Sequence, residues 1–288
     1  MAKFVLSAFS DEYSHDFDEQ LEGLAKNGLS LMEIRGVNGK NISAVTPDEA
    51  RELKKKLDDA GIAVGSLGSP LGKIKLSDDY EEHLESLKRQ LELAHILGTE
   101  NIRMFSFYLP KDVDPITCRG EVMEKLSGML KIVQEDGGTI KLCHENEKGI
   151  YGDTPERCYD IQKYFNSEIK QVFDHANFLC CGCEAYPAAY ELLGDSIYYM
   201  HIKDADYNSK IYAAGKGLGR IPETLADLNA KRDDTIMLTV EPHLKVFKGL
   251  DALEGGQHAL KLEEGTFATS ADAFAYAVKC IKDILAAL

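Results

Sequence analysis

The chain has 288 residues with 33 Lys plus Arg against 48 Asp plus Glu, so its formal net charge is −15. This excess of acid would repel a phosphate backbone, so neither nucleic acid nor an anionic membrane is an expected partner. A hydrophobic fraction of 44% is too high for a disordered protein, and no apolar run is long enough to span a bilayer. The seven cysteines lack framework spacing, which predicts free thiols and a cytoplasmic protein.

Short apolar runs recur along the chain and predict eight β-strands. Most of the runs lack polar alternation, which is typical of parallel strands that are covered on both faces. The predicted strands lie at residues 4–9, 29–34, 62–67, 102–108, 140–143, 171–173, 197–202 and 235–240.

Between these runs the apolar residues return with a helical period. Ala50, Leu53, Leu57 and Ala60 form one such stripe along a predicted helix. The Thr-Pro-Asp-Glu sequence at 46–49 has the pattern of a capping box with Pro at the first helical position. Strand and helix therefore alternate eight times, and the last predicted helix covers residues 270–288.

Eight alternations in about 250 residues predict an α/β protein with a single (β/α)8 TIM barrel. A doubly wound sheet would carry a Gly-rich phosphate turn after its first strand, and Ser-Ala-Phe-Ser-Asp at 7–11 is not one. Because no linker or shift in composition is visible, residues 1–288 are predicted to form one domain. Residues 242–269, between strand eight and the last helix, lack periodicity and are predicted to form a long loop.

The ends of the predicted strands carry the candidate chemistry, because enzymes on this barrel act at the carboxyl ends of the strands. Strands five to eight end in residues that can bind metal ions, namely Glu145, Asp174, His201 and Glu241. Their spacing is about one βα unit each, so four neighbouring strands would direct three carboxylates and one imidazole to a common point. This set predicts a site for one divalent ion, Mn²⁺, Co²⁺, Mg²⁺ or Zn²⁺.

These strand ends resemble the xylose isomerase-like TIM-barrel superfamily, together with His-Ile-Lys-Asp at 201–204 and Gly-Lys-Gly-Leu-Gly-Arg-Ile-Pro at 215–222. The group contains sugar phosphate isomerases and epimerases, ketose 3-epimerases, inosose dehydratases and, more distantly, endonuclease IV. The resemblance implies that Glu145, Asp174, His201 and Glu241 hold one divalent ion. The family's strand-five motif is similar to Glu-Asn-His, and Glu147 replaces the His here, so Glu147 is a rival ligand to Glu145.

The resemblance implies an isomerase or epimerase that acts on a small sugar or sugar-like polyol carbonyl compound through a metal-stabilised enediolate. Glu145 and Glu241 would take and return the carbon-bound proton. Asn177 stands where the family's epimerases have a His, so close identity with those enzymes is not expected. An inosose-type dehydratase and a non-catalytic sugar-binding barrel are the alternatives, while the net charge and missing histidines at strands two to four disfavour an endonuclease.

Five further residues are candidates for contacting the substrate: Arg35, Arg103, Asn177, Lys203 and His243. Either arginine could bind a carboxylate or phosphate group by a bidentate contact. The alternatives are a solvated loop position for Arg35 and an interior acid partner for Arg103. Lys203 could neutralise an oxyanion or pair with an interior acid. The expected partner is a small-molecule sugar or polyol, and a homo-oligomer is compatible with the sequence.

Four other features receive structural interpretations. His144 and His175 neighbour predicted ligands and should face away from the barrel interior by alternation. Asp204 is predicted to lie behind the site. The glycine-rich segment 215–219 should form a flexible loop that touches substrate, and the cysteines at 180, 181 and 183 a tight βα loop.

Overall fold

The structure, a computed structural model, describes residues 1–246 and 266–288. Eight parallel strands form the wall of a nearly closed barrel, which confirms the predicted fold. The strands are β1 (Lys3–Ala8), β2 (Leu31–Ile34), β3 (Ala63–Leu71), β4 (Asn101–Met104), β5 (Lys141–Glu145), β6 (Lys170–Asp174), β7 (Ile197–Ile202) and β8 (Thr235–Val240). From β2 to β8 each strand pairs with the next, β8 pairs with β1, and β1 lies beside β2.

Helices connect the strands in the order that the sequence predicts. They are α1 (Phe17–Lys26), α2 (Pro47–Ala60), α3 (Tyr80–Leu97), α4 (Pro115–Glu135), α5 (Pro155–Tyr164), α6 (His175–Cys180), α7 (Tyr190–Leu193), α8 (Ile221–Lys231) and α9 (Ser270–Ala286). The predicted capping box begins α2, where Thr46 and Glu49 each accept a backbone N–H from the other. Within the described ranges, no helix is both long and apolar enough to cross a membrane.

β3 and β4 differ most in length from the prediction. β3 continues to Leu71, four residues beyond the predicted end, whereas β4 ends at Met104. Phe107 has a φ of 64°, a left-handed conformation that an extended strand does not contain. The chain after β4 instead bonds to the segment after β3, since the Phe107 N–H donates to the Gly72 carbonyl over 3.0 Å.

The apolar core lies between the barrel wall and the helices, where side chains such as Ile34, Leu67 and Ile102 pack with Leu87 and Phe274. The inside of the barrel is more polar. Glu33 of β2 contacts Tyr199 of β7 there, and β2 and β7 are not neighbours in the sheet, so this contact crosses the interior.

The predicted loop at 242–269 can be described only at its two ends, because residues 247–265 lie outside the described part of the chain. His243 has a φ of 45°, which turns the chain sharply after β8. The Lys245 ammonium donates to the Phe267 carbonyl over 3.0 Å and so links the two ends. The last helix begins at Ser270, as predicted, and Thr269 caps it.

Candidate metal centre

The four predicted strand-end residues converge at the carboxyl-terminal mouth of the barrel. Glu145 and Asp174 end β5 and β6, His201 lies in β7, and Glu241 follows β8 directly. One potential ligand atom from each residue lies within 4.8 Å of the others, and all four residues are buried. We call these four residues the acidic cluster.

The imidazole of His201 occupies the middle of the acidic cluster. Its Nδ1 atom lies 3.0 Å from Glu145 Oε1 and 3.7 Å from Glu241 Oε2. Lys203 lies on the other side, with its Nζ atom 3.2 Å from Asp174 Oδ2 and 2.9 Å from Glu241 Oε2. Three carboxylates therefore surround one ring nitrogen and one ammonium group.

The donor atoms of the acidic cluster fit a divalent ion. In the described part of the chain, His201 Nδ1 and Asp174 Oδ2 are buried without a hydrogen bond, although charged groups lie within 3.2 Å. Buried polar atoms are normally satisfied, so such atoms aimed at one place indicate a site for a ligand. Carboxylate oxygens with one imidazole are suitable donors for Mg²⁺, Mn²⁺, Co²⁺ or Zn²⁺.

Burial and close charges shift the pKa values of the acidic cluster in different directions. Burial raises the pKa of Asp174 to about 6, against the opposing effect of Lys203. Burial also acts on Glu145, but His201 and Arg103 outweigh it and lower the pKa of Glu145 to about 2. Burial would lower the pKa of His201, yet the carboxylates of Glu145 and Glu33 raise it to about 10. The imidazole thus lies in a strongly negative environment, as a metal ligand does.

Two buried arginines hold the outer oxygens of the two glutamates. Arg35 Nη1 donates to Glu241 Oε1 over 2.9 Å, and Arg103 Nη1 donates to Glu145 Oε2 over 3.2 Å. The ring of Phe9 lies between them, with its centroid 4.1 Å from the Arg35 guanidinium carbon and 5.1 Å from that of Arg103. Each glutamate therefore gives one oxygen to an arginine and directs the other towards His201.

These contacts decide between the interpretations of the arginines. Arg35 is only 2% exposed and also bonds to Asp11 and Glu12, so the solvated loop position is wrong. Arg103 has the interior acid partner that the sequence suggested, and that partner is Glu145. Substrate binding by either arginine stays a prediction.

The remaining substrate-contact candidates also lie beside carboxylates. The Asn177 side chain donates to Glu145 Oε1 over 3.1 Å. Its backbone N–H donates to Asp174 Oδ1, which caps the amino end of α6. His243 Nδ1 lies 3.0 Å from Glu12 Oε1. Lys203, which pairs with Asp174 and Glu241, completes the set, and substrate binding by these three residues stays a prediction.

Glu147, the rival ligand, lies outside the acidic cluster. Its carboxylate accepts a hydrogen bond from Lys73 Nζ over 2.9 Å. The group of potential metal donors contains Glu145 and not Glu147. The geometry therefore favours Glu145.

The flanking histidines face the helices rather than the barrel interior. His144 Nε2 hydrogen-bonds with Ser106 Oγ, and His175 Nε2 with Thr224 Oγ1 of α8. Burial lowers their pKa values to about 4 and about 3, so both are neutral structural residues near pH 7.

The glycine-rich segment after β7 is tied to a single carboxylate. Asp204 accepts backbone N–H groups from Gly215, Gly217 and Gly219 over 3.1, 3.0 and 2.8 Å. A Cβ atom on Gly217 would lie 2.5 Å from Asp204 Oδ1, so the close approach requires glycine. The predicted flexible loop is therefore held in place by its own residues.

Nearby, Cys180 ends α6, and no cysteine of the described chain belongs to a group of potential metal donors.

Sequence reasoning missed three acids at the site. Asp11 and Glu12 lie in a short helical turn after β1 and bind Arg35. Glu33 lies inside the apolar run of β2 and contacts His201. An acid within a buried strand was the available signal for Glu33, but the partners of all three acids are remote in sequence.

A family model described as a xylose isomerase-like TIM barrel matches residues 21–261. No curated protein matches the sequence.

Solved structures share the fold over nearly the whole chain. An IOLI protein with a binding zinc atom gives a TM-score of 0.71 at 16% identity over 98% of both chains. A D-psicose 3-epimerase with D-tagatose from Clostridium cellulolyticum H10 gives 0.68 at 17% identity over 99% of both chains. A xylose isomerase-like TIM barrel/4-hydroxyphenylpyruvate dioxygenase fusion protein gives 0.71 at 18% identity, covering 98% of this chain and 43% of its own.

Proposed function

The chain belongs to the xylose isomerase-like TIM barrel family, and from this premise we propose that it is a divalent-metal-dependent isomerase or epimerase. Its substrate would be a small sugar or sugar-like polyol carbonyl compound. The observation that carries the proposal is the acidic cluster, whose four donor atoms lie within 4.8 Å of one another. A zinc atom in one similar structure and a ketose epimerase in another support the metal and the substrate class.

Glu145, Asp174, His201 and Glu241 would hold the ion. When bound, a divalent ion would supply Lewis-acid chemistry that withdraws charge from a substrate carbonyl and acidifies the neighbouring C–H group. The burial of all four residues supports this role, because electrostatic interactions are stronger where water is excluded.

Glu145 and Glu241 would move the carbon-bound proton. His201 and Arg103 lower the pKa of Glu145 against the effect of burial and so keep its carboxylate ionised, the form in which it could take a proton. Lys203 and His243 similarly hold the pKa of Glu241 well below its usual range despite burial. Removal and return of the proton on opposite faces would give an epimer, and its return to the neighbouring carbon would give an isomer.

The other charged and polar groups would orient the substrate. Lys203 Nζ lies between Asp174 and Glu241 and could neutralise charge that develops on a substrate oxygen. The Asn177 amide lies 3.1 Å from Glu145 and could hydrogen-bond a substrate hydroxyl. Arg35 and Arg103 would keep the two glutamates oriented through their outer oxygens.

Proton exchange with solvent tests the proposal. Manganese-loaded protein is incubated in D₂O with a panel of ketoses and inososes, and the recovered compounds are analysed by NMR and mass spectrometry. We expect carbon-bound deuterium beside the carbonyl. Glu145→Gln and Glu241→Gln should each slow this incorporation at least about 100-fold, the range for a lost general base. Glu92→Gln, the same change at an exposed position of α3, is the matched control.

The same incubation separates the alternatives. Loss of water from an inosose would indicate that the protein is a dehydratase rather than an isomerase or epimerase. Neither exchange nor water loss across the panel, together with a melting temperature that a chelator does not change, would overturn the metal-enzyme proposal and favour a non-catalytic barrel.

A further inference from the structure

Glu33 is a carboxylate inside the barrel that the proposed chemistry does not use. Its side chain is wholly buried, and it accepts three hydrogen bonds from β7 and β8. Tyr199 Oη donates to Oε1 over 3.1 Å, while Thr239 Oγ1 and His201 Nε2 donate to Oε2 over 2.8 and 3.2 Å. One of these donors, His201, belongs to the acidic cluster.

An irregularity in the barrel wall accompanies this placement. The pairing of β2 with β3 shifts register between Met32 and Glu33, so that Glu33 lies opposite Ser66. A β-bulge redirects the side chains that follow it. Ser66 Oγ lies 3.3 Å from the Tyr199 hydroxyl, so both residues after the irregularity join one interior network.

The carboxylate of Glu33 pairs with the imidazole of His201. The Nε2 atom of His201 lies 3.2 Å from Glu33 Oε2 and forms an ion pair with it when the ring is charged. A buried carboxylate is costly unless it is well hydrogen-bonded. The network therefore ties the orientation of Glu33 to the His201 ring.

The pairing has a direct consequence for the histidine ring. A carboxylate can only accept hydrogen bonds, so the Nε2 atom of His201 carries the proton in this contact. In the neutral ring, Nδ1 then carries a lone pair, and this atom lies 3.0 Å from Glu145 Oε1. Two lone pairs at this distance repel each other unless a cation lies beside both. A proton on Nδ1 meets this need in the charged ring, and a bound divalent ion would meet it in the neutral ring.

We propose that Glu33 is a positioning residue that holds His201 in the Nε2–H form and presents Nδ1 to the divalent ion. The inference rests on the proposed function, because it concerns the same metal centre. Partners of this kind orient metal-bound histidines and raise their basicity, and their loss weakens metal binding about 10- to 100-fold.

Manganese titration calorimetry on the full chain tests the role. Glu33→Gln keeps the size of the side chain but weakens its acceptor, so we expect about 10- to 100-fold weaker Mn²⁺ binding. Glu33→Asp retains a carboxylate with a shorter reach, and its affinity should fall between those of Glu33→Gln and the wild type. Ser66→Ala, which alters the network only at Tyr199, is the matched control and should bind Mn²⁺ as the wild type does.

Melting temperatures in EDTA distinguish positioning from a purely structural role. A structural role would lower the melting temperature of Glu33→Gln in EDTA and leave the Mn²⁺ affinity unchanged, and that result would overturn the inference. If Glu33→Gln does not fold, an unchanged affinity in Glu33→Asp would overturn it equally. A wild-type protein that binds no divalent ion would overturn the proposed metal enzyme as well, so the two failures are distinguishable.

Discussion

The two halves of the barrel place different chemistry at the same mouth. β5 to β8 contribute the acidic cluster, whereas the first half contributes Phe9, Arg35 and Arg103. The arginines of the first half bind the glutamates of the second half across the opening. The first half thus supplies counter-charges to Glu145 and Glu241. The second half supplies the donors and Lys203, which pairs with Asp174.

The two arginines are not equivalent. Arg35 bonds to three carboxylates, those of Asp11, Glu12 and Glu241. Arg103 bonds to the Glu145 carboxylate and otherwise to the backbone carbonyls of residues 68 and 69. The comparison of the two halves can therefore be tested by removing one counter-charge at a time.

Loss of Arg35 should have the largest effect. Arg35→Met would leave Asp11 and the buried Glu12 and Glu241 without their shared cation, and removing one partner of a buried ion pair costs about 3–5 kcal/mol. Arg103→Met should cost less because it releases one carboxylate. Urea unfolding in EDTA measures both, with the exposed Arg51→Met as control. An equal or larger loss for Arg103→Met would contradict the asymmetry.

Loss of a donor from the second half should act on metal binding rather than on folding. Asp174→Asn keeps an oxygen that can accept the Asn177 N–H and begin α6. We expect Mn²⁺ affinity to fall more than about 100-fold, beyond the range for an outer partner such as Glu33. Calorimetry gives the affinity, and a change of less than tenfold would remove Asp174 from the proposed ligands.

The pKa of His83 in the first half of the barrel is lowered, whereas the carboxylates around His201 in the second half raise its pKa despite burial. His83 of α3 accepts the Gly72 N–H over 2.9 Å, and burial, with Lys125, lowers its pKa from 6.5 to about 4. As the pH falls, the unfolded chain binds this proton before the folded chain does. The contribution of neutral His83 to the free energy of unfolding is therefore complete above pH 6.5 and declines as the pH falls towards 4. The loss from pH 7 to pH 5 should be about 2 kcal/mol.

His83→Gln removes this titration and keeps an acceptor for the Gly72 N–H. Urea unfolding at the two pH values should therefore show a decline that is smaller than in the wild type by about 2 kcal/mol. Identical declines in the two proteins would show that His83 does not contribute to acid sensitivity.

The smallest effect is expected at Glu147. Glu147→Gln breaks a partly exposed ion pair with Lys73, whose contribution should be within about 1 kcal/mol. Mn²⁺ affinity should stay within about twofold of the wild type, because the side chain lies outside the acidic cluster. A large loss of Mn²⁺ affinity would instead indicate that Glu147 is a ligand and that the register of β5 at the site differs from the one described.

The barrel and the convergence of its strand ends were predictable because both depend on local periodicity. A parallel strand that is covered on both faces is an apolar run, so the first polar residue after it, such as Asp174, marks the mouth. Strand lengths were less predictable. β4 ends early because Phe107 takes a left-handed conformation, which nothing in the apolar pattern indicates.

The counter-charges were not predictable from spacing. Arg35 and Glu241 are 206 residues apart, and Glu12 and His243 are 231 apart. Only closure of the barrel brings these groups together. Glu33 could be recognised in the sequence as an acid within an apolar run. Its contact with the His201 ring, however, crosses the barrel interior and could not be predicted. Residues 247–265 lie outside the described chain, so the predicted loop there stays a prediction.

The carboxylate of Asp204 has a consequence for anion binding by the glycine-rich segment. Backbone N–H groups that converge in a glycine-rich turn form an anion-binding concavity, and barrels often use the loops after β7 and β8 to bind phosphate. Here the chain's own carboxylate already accepts the N–H groups of Gly215, Gly217 and Gly219. These three donors are therefore already satisfied within the chain, and a phosphate group could bind them only by displacing Asp204.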